Sequence, residues 1–532
     1  MTLMAIIILL FAGGILAWLS ERYLQRGGHW IALLSLLLAS LLLASYWPSP
    51  DAAQVAGNGP WWDSVQINWI PRFGISFHLA IDGLGFLMLA LTMAMGIFGL
   101  VMTWNDIRFR RGFFYFNYLW TLAGVVGVFT AMDLFLFFFF WEIMLIPMLF
   151  LIAVWGYEQR LYAAIKFFIF TQASSLLMLI AIVALAYLHY RNSGQLTFNY
   201  NDLLGAQLAP ATAYWLMLGF FVAFIVKLPA LPFHPWLPDA HTQAPTAGSI
   251  LLAAILLKTG AYGLLRFNLS LFPESSVAFA PVAMTIGAVS VIYGAMLAFA
   301  QRDMKRLVAY SSVSHMGFVL LGLYALNTIA IQGAVMQMIA HGLSTAALFA
   351  LVGAMQHRLH TRDMTQLGGV WSILPKLSAI ALFFAVASLG LPGLGNFIAE
   401  FTVLVGSFRS NHWITALAAT GLVGAALYAL IMMQRVFFGG LHQRLHKLSQ
   451  QTLTADLNLR ESCALLSLAA LLVLMGLRPQ PVFDIASPTV ARSLSHIETA
   501  RAQYAEDRGI DTRFISQEQT WAKPHPIEGE SP

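Results

Sequence analysis

The chain has one cysteine. Cys463 lies in a late apolar stretch, and a lone thiol excludes an intrachain disulfide framework, a Cys-rich zinc site and an iron–sulfur cluster held by this chain alone. Charge is scarce as well. Asp, Glu, Lys and Arg make up 10% of the 532 residues, against roughly 25% in a typical soluble domain. The chain has no Gly-rich phosphate loop in context, no bis-histidine haem pattern and no nucleophile elbow. The pI near 9.2 does not point to nucleic acid, because the basic residues sit in short loops between apolar runs.

Apolar residues supply 59% of the chain, and the mean hydropathy is +0.73. Windows of about 20 apolar residues recur, each enough to cross about 30 Å of hydrocarbon. The expected fold class is an all-α polytopic membrane protein. About fourteen transmembrane helices are expected, near 2–19, 30–46, 83–104, 113–130, 132–154, 161–190, 211–246 (broken), 248–267, 277–300, 304–323, 327–353, 376–408 (broken), 412–435 and 461–477. The first run does not read as a secretory signal, since Arg22 and Arg26 follow it and no small-residue cleavage site is evident. It reads as a retained anchor with its N-terminus outside.

Loop charges test this count. Fourteen spans put seventeen Lys and Arg in loops on one side, among them Arg108, Lys166, Lys305, Arg362 and Arg460, and only Arg72, Arg191 and Arg409 on the other. The positive-inside rule then places both termini outside. The tail from Arg478 on carries six Lys and Arg on the side the rule disfavours, but long translocated segments are largely exempt from it. Residues 47–82 form an outer loop rich in Trp, Pro and Gly, read as a lid. Residues 490–532 are polar and read as a flexible tail or docking strap.

Two interruptions organise the spans. After Lys227 the seventh span meets Pro229, Pro232, Pro235, Pro238 and Pro245, and each proline removes a backbone donor. Phe220-Phe221 with Leu228-Pro229 recurs as Phe383-Phe384 with Leu391-Pro392, at one offset of 163. Carbonyls freed in a membrane need protein or water as partners, and paired breaks in two halves point to a transport site. Spans 4–8 and 9–13 make two five-helix copies, and an odd number per copy forces an inverted repeat. The expected segments are 1–112 (three spans and the outer loop), 113–270 and 271–440 (the repeats), 441–489 (the last span) and 490–532 (the tail).

Six ionisable residues fall deep in spans: Glu142, Lys227, Lys258, His315, His341 and Glu400. A Lys or Asp at mid-helix costs about 2.5–3.5 kcal/mol on insertion scales, so each such residue needs a partner or a purpose. Lys227 and Glu142 read as partners: a nearby carboxylate holds the lysine protonated, and withdrawing it favours proton release. Lys258 and the histidines suit a proton relay. Glu400 follows the second break and suits an access group there. Other readings stand beside these: Lys227 capping freed carbonyls, Glu142 in a purely structural ion pair, and His315 and His341 as satisfied core histidines. His234, Asp239 and His241 read as a solvated loop face. Lys166 and Arg266 read as snorkelling side chains, Asp82 and Asp133 as helix N-caps, and the run Phe137–Phe140 as a lipid-facing or packing surface.

The runs LFLFFFFWEIMLIPM (134–148), KLPALPFHPWLPDAHTQAPTAGS (227–249), LLKTGAYGLLRF (256–267), LVAYSSVSHMGF (307–318) and MIAHGLS (338–344) resemble the antiporter-like subunits of proton-pumping NADH:quinone oxidoreductase, respiratory complex I. The likeness covers spans 3 to 13. Within the family the chain is most similar to the M type, on LAIDGLGFLML (79–89), NFIAEFTVLVGSF (396–408) and the absence of extra C-terminal spans or a long lateral helix. The resemblance implies a proton-translocating subunit of the bacterial inner membrane with both termini on the periplasmic side. It implies FMN, iron–sulfur clusters and quinone in partner subunits and none here, and as neighbours the antiporter-like subunits L and N and the lipid bilayer. By motif, Glu142 takes the fifth-span glutamate role, modulating Lys227 of the seventh span. Lys258 links the two half-channels, Glu400 is the twelfth-span acid, and His315 and His341 match the histidines of spans 10 and 11. A subunit of a multi-subunit sodium/proton antiporter and a non-pumping spacer are the alternative readings.

Overall fold

The computed structural model describes residues 1–24, 27–47, 61–451 and 455–507. Its principal helices are α1 (Thr2–Leu24), α2 (Gly28–Ala44), α3 (Gly83–Met102), α4 (Arg111–Thr130), α5 (Leu134–Trp155), α6 (Arg160–Ser193), α7 (Pro210–Lys227) and α8 (Trp236–Gln243). They continue as α9 (Thr246–Leu271), which contains two π-helical segments, then α10 (Pro273–Phe299), α11 (Met304–Tyr324), α12 (Thr328–Leu359), α13 (Pro375–Ser388) and α14 (Gly395–Ser410). The last are α15 (His412–Val436), α16 (Leu459–Leu477) and α17 (Gln480–Asp507). Twelve are long and apolar enough to cross a membrane. The shorter α2 and the α13–α14 pair complete the fourteen expected spans.

Burial follows apolar patterning. In α9, Ala, Leu, Ile and Gly occupy nearly every side of the helix, and every residue from Thr246 to Leu271 is buried. A helix that is hydrophobic all round belongs inside. α3, α7 and α12 pack against it, and α3, α11 and α12 are nearly as enclosed. The periphery carries the outward apolar faces, with Leu16, Leu41, Ile169, Ile180, Leu430 and Leu474 exposed. Such faces require lipid or another subunit. The run Phe137–Phe140 divides: Phe137 and Phe140 are buried, while Phe139 is exposed.

The described part of the 47–82 stretch forms a β-hairpin. β1 (Asp63–Ile70) pairs antiparallel with β2 (Ile75–Ile81), from Asp63 opposite Ile81 to Asn68 opposite Ser76. Asp133 caps α5 through Phe135 N and Leu136 N, at 3.0 and 3.1 Å. Its other oxygen accepts from the Ser76 amide and hydroxyl, at 2.9 and 3.0 Å, and this pins the hairpin to the bundle end. Residues 48–60 of the expected lid, Arg26 and the tail beyond Asp507 lie outside the described residues.

Of the two readings of 490–532, the flexible tail is corrected as far as Asp507 by α17, a helix of 28 residues that docks on the bundle as a strap does. The stretch is polar only on average. Ala486, Val490, Leu494 and Ile497 recur at helical spacing and are buried, and α17 packs against α3, α10 and α12. The approach to α3 is so close that a Cβ on Gly83 would stand 1.8 Å from the Ile485 carbonyl oxygen.

Arg266 does not snorkel. It is 4% exposed, and it donates to both oxygens of Asp82 at 2.7 and 2.6 Å. Asp82 caps α3 as expected, through Gly85 N at 2.9 Å. It also accepts from Thr489 of α17 at 2.9 Å, and Arg492 stands 3.7 Å away. A buried guanidinium this far from water is stable only with a desolvated carboxylate opposite it.

Candidate functional site

The first break ends α7 at Lys227, and its freed backbone is satisfied by protein. Trp236 Nε1 donates to the Val226 carbonyl at 2.9 Å, Ala230 N to the Ile225 carbonyl at 3.0 Å, and Leu231 N to Ser290 Oγ of α10 at 3.0 Å. Lys227 therefore does not cap these carbonyls. Its Nζ is buried with no hydrogen-bond partner among the described residues. It faces the rings of Trp141 and Phe167, 5.5 and 5.4 Å from their centroids, an arrangement that stabilises a cation weakly.

The expected Glu142–Lys227 partnership is corrected in one respect: the two side chains form no ion pair within 4.0 Å among the described residues. Glu142 instead accepts a 2.6 Å hydrogen bond from Ser175 Oγ of α6, and its chain neighbour Trp141 presents the ring to the lysine.

The remaining four residues do meet. α9 carries Lys258 immediately after a π-helical segment, Leu252–Leu256, whose widened turn brings the Ala253 carbonyl within reach of Lys258 Nζ. The same Nζ lies 2.8 Å from His341 Nδ1 of α12. The His341 ring centroid is 5.4 Å from that of His315 in α11. His315 Nδ1 is 2.9 Å from Glu400 Oε1 of α14. Lys258, His341, His315 and Glu400 are each no more than 2% exposed. Glu400 lies against the second break, where a Cβ on Gly390 (φ +79°) would stand 2.9 Å from its Oε2.

Three residues of this line escaped the sequence reading. Gln337 Nε2 donates to Glu400 Oε1 at 3.2 Å. Ser388 Oγ and Tyr428 OH stand 3.2 and 3.1 Å from His315 Nε2. None of them ionises near neutrality, which is why a search for buried charge passed them over. Gln337 was findable, since it sits one helical turn before His341. His315 is fully partnered; His341 is not, because its Nε2 has no hydrogen-bond partner among the described residues.

The reading of His234, Asp239 and His241 as a solvated face is also corrected. His241 is wholly buried and stacks on Phe349, 4.4 Å between centroids and 4° from parallel. His234 is buried. Asp239 pairs with Lys166 at 2.6 Å and Arg306 at 3.5 Å, so Lys166 is bridged rather than snorkelling. The prolines re-enter α8 towards the bundle instead of leading it into solvent. Lys305, counted as a loop charge, is buried at 1% exposure, and it donates to the Ala244 carbonyl at 2.6 Å.

Two hydrogen-bonded groups, Lys258 with His341 and His315 with Glu400, Gln337, Ser388 and Tyr428, face each other across a 5.4 Å gap between the histidine ring centroids, an arrangement suited to moving protons. Among the described residues no group of three His, Cys, Asp or Glu side chains is arranged to hold a metal.

Comparisons with known proteins place the chain in a family and a fold. A family profile described as NADH:quinone oxidoreductase/Mrp antiporter, TM matches residues 131–427. NADH-quinone oxidoreductase subunit M of Pseudomonas aeruginosa is 53% identical over 494 residues, covering 91% of this chain and 96% of the relative. Subunit M of Escherichia coli K12 is 52% identical over 486 residues, covering 90% and 95%. A chain of respiratory complex I from Thermus thermophilus with bound NADH superimposes with a TM-score of 0.82 at 29% identity, covering 93% of this chain and all of that one.

Proposed function

The chain belongs to the family of antiporter-like membrane subunits of NADH:quinone oxidoreductase, and we propose that it translocates protons there, driven by NADH oxidation and quinone reduction in partner subunits. The observation that carries this reading is the contact of Lys258 with His341 at 2.8 Å. It joins the segment 113–270, which holds Glu142, Lys227 and Lys258, to the segment 271–440, which holds His315, His341 and Glu400.

The residues take the following parts. Glu142 has two alternative partners, Ser175 and Lys227. With its carboxylate drawn to Ser175, the lysine faces aromatic rings and a low dielectric, which favours release of its proton. With the carboxylate turned towards it, the ammonium form is favoured. Lys258 takes the proton across the seam to His341, whose two ring nitrogens can accept on one side and release on the other. His315 and Glu400 receive it in the second half, with Gln337, Ser388 and Tyr428 fixing their orientation. FMN, iron–sulfur clusters and quinone are assigned to partner subunits, and the exposed apolar flanks of the bundle to subunits L and N and to lipid. The loops bearing the basic excess are assigned to the cytoplasmic side of the bacterial inner membrane, and the hairpin and α17 to the periplasmic side.

The test uses inverted membrane vesicles with Lys227→Ala, once assembly of the complex has been verified. NADH:quinone turnover and proton uptake are followed together, and loss of both is expected. Unchanged turnover and uptake with loss of sodium/proton exchange would instead favour the antiporter reading.

A further inference from the structure

At the end of the bundle opposite the hairpin, a cavity of about 150 Å³ opens between the α3–α4 connection, the start of α9, the end of α12 and the start of α16. It has room for several waters. Asp106, His357 and Glu461 line it beside Arg358 and Arg460, with Thr246 among its inner residues. Glu461 is committed, to Arg358 at 2.6 Å and to the cap of α16. That leaves Asp106 and His357 as its other titratable acid and base.

α12 follows the whole way inward from this cavity. His357 and Ala350 line it, and Gly353 is so close to Thr246 that a Cβ there would stand 2.4 Å from Thr246 Oγ1. Phe349 stacks on His241, and His341 holds Lys258. The sixteen residues from His357 to His341 span about 24 Å at 1.5 Å per residue, with His241 beside the midpoint. His241 is completely buried, and among the described residues both its ring nitrogens lack partners. Among the described residues His341 Nε2, about 12 Å further along α12 at 1.5 Å per residue, lacks one too, and Lys258 and Lys305 are the cations near His241.

We propose that this cavity is a proton mouth, in which Asp106 and His357 exchange protons with the aqueous phase and pass them through cavity water, Thr246 and His241 to His341. At the last step, once Lys258 has released its proton through His341 to the second half, His341 Nε2 gains a new one as Nδ1 gives one to the neutral amine of Lys258, which recharges the lysine with charge and protons balanced. Burial, with Glu461 adding to it, lifts the Asp106 carboxyl above the usual carboxylate range against the opposing pull of His357, Arg460 and Arg358. That brings its proton exchange closer to neutral pH. The inference rests on the proton-translocating reading above and adds the route of uptake to it.

The test uses the assembled complex in inverted vesicles. Asn105, another lining residue, is changed to cysteine in a Cys463→Ser background, and the mouth is blocked with a charged methanethiosulfonate reagent after assembly. The Cys463→Ser parent receives the same treatment. The expected result is a loss of proton uptake per NADH oxidised relative to the treated parent, reversed by reductant. Complete labelling of Asn105→Cys with uptake unchanged, while Lys227→Ala lowers it, would overturn the mouth and leave the function standing. If Lys227→Ala lowers nothing either, the function itself fails. Asp106→Asn with His357→Gln gives a second readout that needs no reagent. Uptake should fall most at alkaline pH, where protons are scarce, and an unchanged pH profile would count against the mouth.

Discussion

Lys258 Nζ and His341 Nδ1 lie 2.8 Å apart with neither side chain reaching solvent. Two bases in such contact share a proton, and the pair bridges the halves of the bundle. Groups in direct contact couple by about 0.5–3 kcal/mol. Lys258→Ala and His341→Ala are therefore expected to be non-additive. In a double-mutant cycle on NADH-driven proton uptake, the double variant should be little worse than the poorer single one. Fully additive losses would show that the contact is not used.

Tyr428 and Ser388 both reach His315 Nε2. Removing one hydroxyl costs about 0.5–1.5 kcal/mol, so Tyr428→Phe should slow uptake by about two- to tenfold. Tyr428→Phe with Ser388→Ala should cost more than either change alone, because the imidazole then loses both partners on that nitrogen. Rates of uptake and of uncoupled NADH oxidation, taken together, separate this from misassembly.

Ser175 holds the Glu142 carboxylate through a hydrogen bond to a charged group, worth about 1.5–3 kcal/mol. Ser175→Ala should release the carboxylate towards Lys227 and slow proton release from it. Ser175→Thr, which keeps the hydroxyl, should restore most of the rate. Equal rates for the alanine variant and wild type would remove Ser175 from the cycle.

At the hairpin end, Asp82→Asn leaves Arg266 buried without its counter-charge. Breaking one side of a buried pair costs about 3–5 kcal/mol, enough to lose most folded chain. Arg492→Ala should be milder, since Arg492 is partly exposed and 3.7 Å away. Thermal unfolding of the detergent-solubilised complex checks the order.

His78 makes the hairpin sensitive to pH. It is 3% exposed, between Ser64 and Asn199 at 3.1 Å each. Burial lowers its pKa below the ordinary 6.5, against the smaller opposing pull of Asn199 and Asp202. The unfolded histidine then binds protons more readily than the folded one, so stability is fully present above about pH 6.5 and is lost as pH falls through the folded value. Amide exchange in β1 and β2, corrected for intrinsic rates, should quicken below about pH 6.5, and His78→Gln should abolish the change.

Much of this protein was written in its sequence. Twenty-residue apolar runs in a charge-poor chain leave the backbone no choice but helices across hydrocarbon, because unpaired peptide groups are too costly there. The prolines at 229 and 232 and the Gly-Pro run at 390–395 fixed both breaks. Six isolated ionisable residues stood out as candidates, because each is too costly to keep without a partner or a purpose.

The tertiary structure decided which of these residues meet. Lys258 and His341 are 83 residues apart in sequence, and His315 and Glu400 are 85 apart; no local pattern states that they touch. Glu142 and Lys227 were paired by charge, yet in the fold Glu142 is held by Ser175 and Lys227 faces the Trp141 ring. Arg266 looked like a snorkelling cation until Asp82, from a distant helix, reached it. α17 hid behind an averaged polarity that masks one buried stripe. Periodicity and transfer cost act within a segment, and the sequence carries them openly. Partner choice among buried polar groups depends on distances set by packing across the whole bundle, and only the folded chain fixes those.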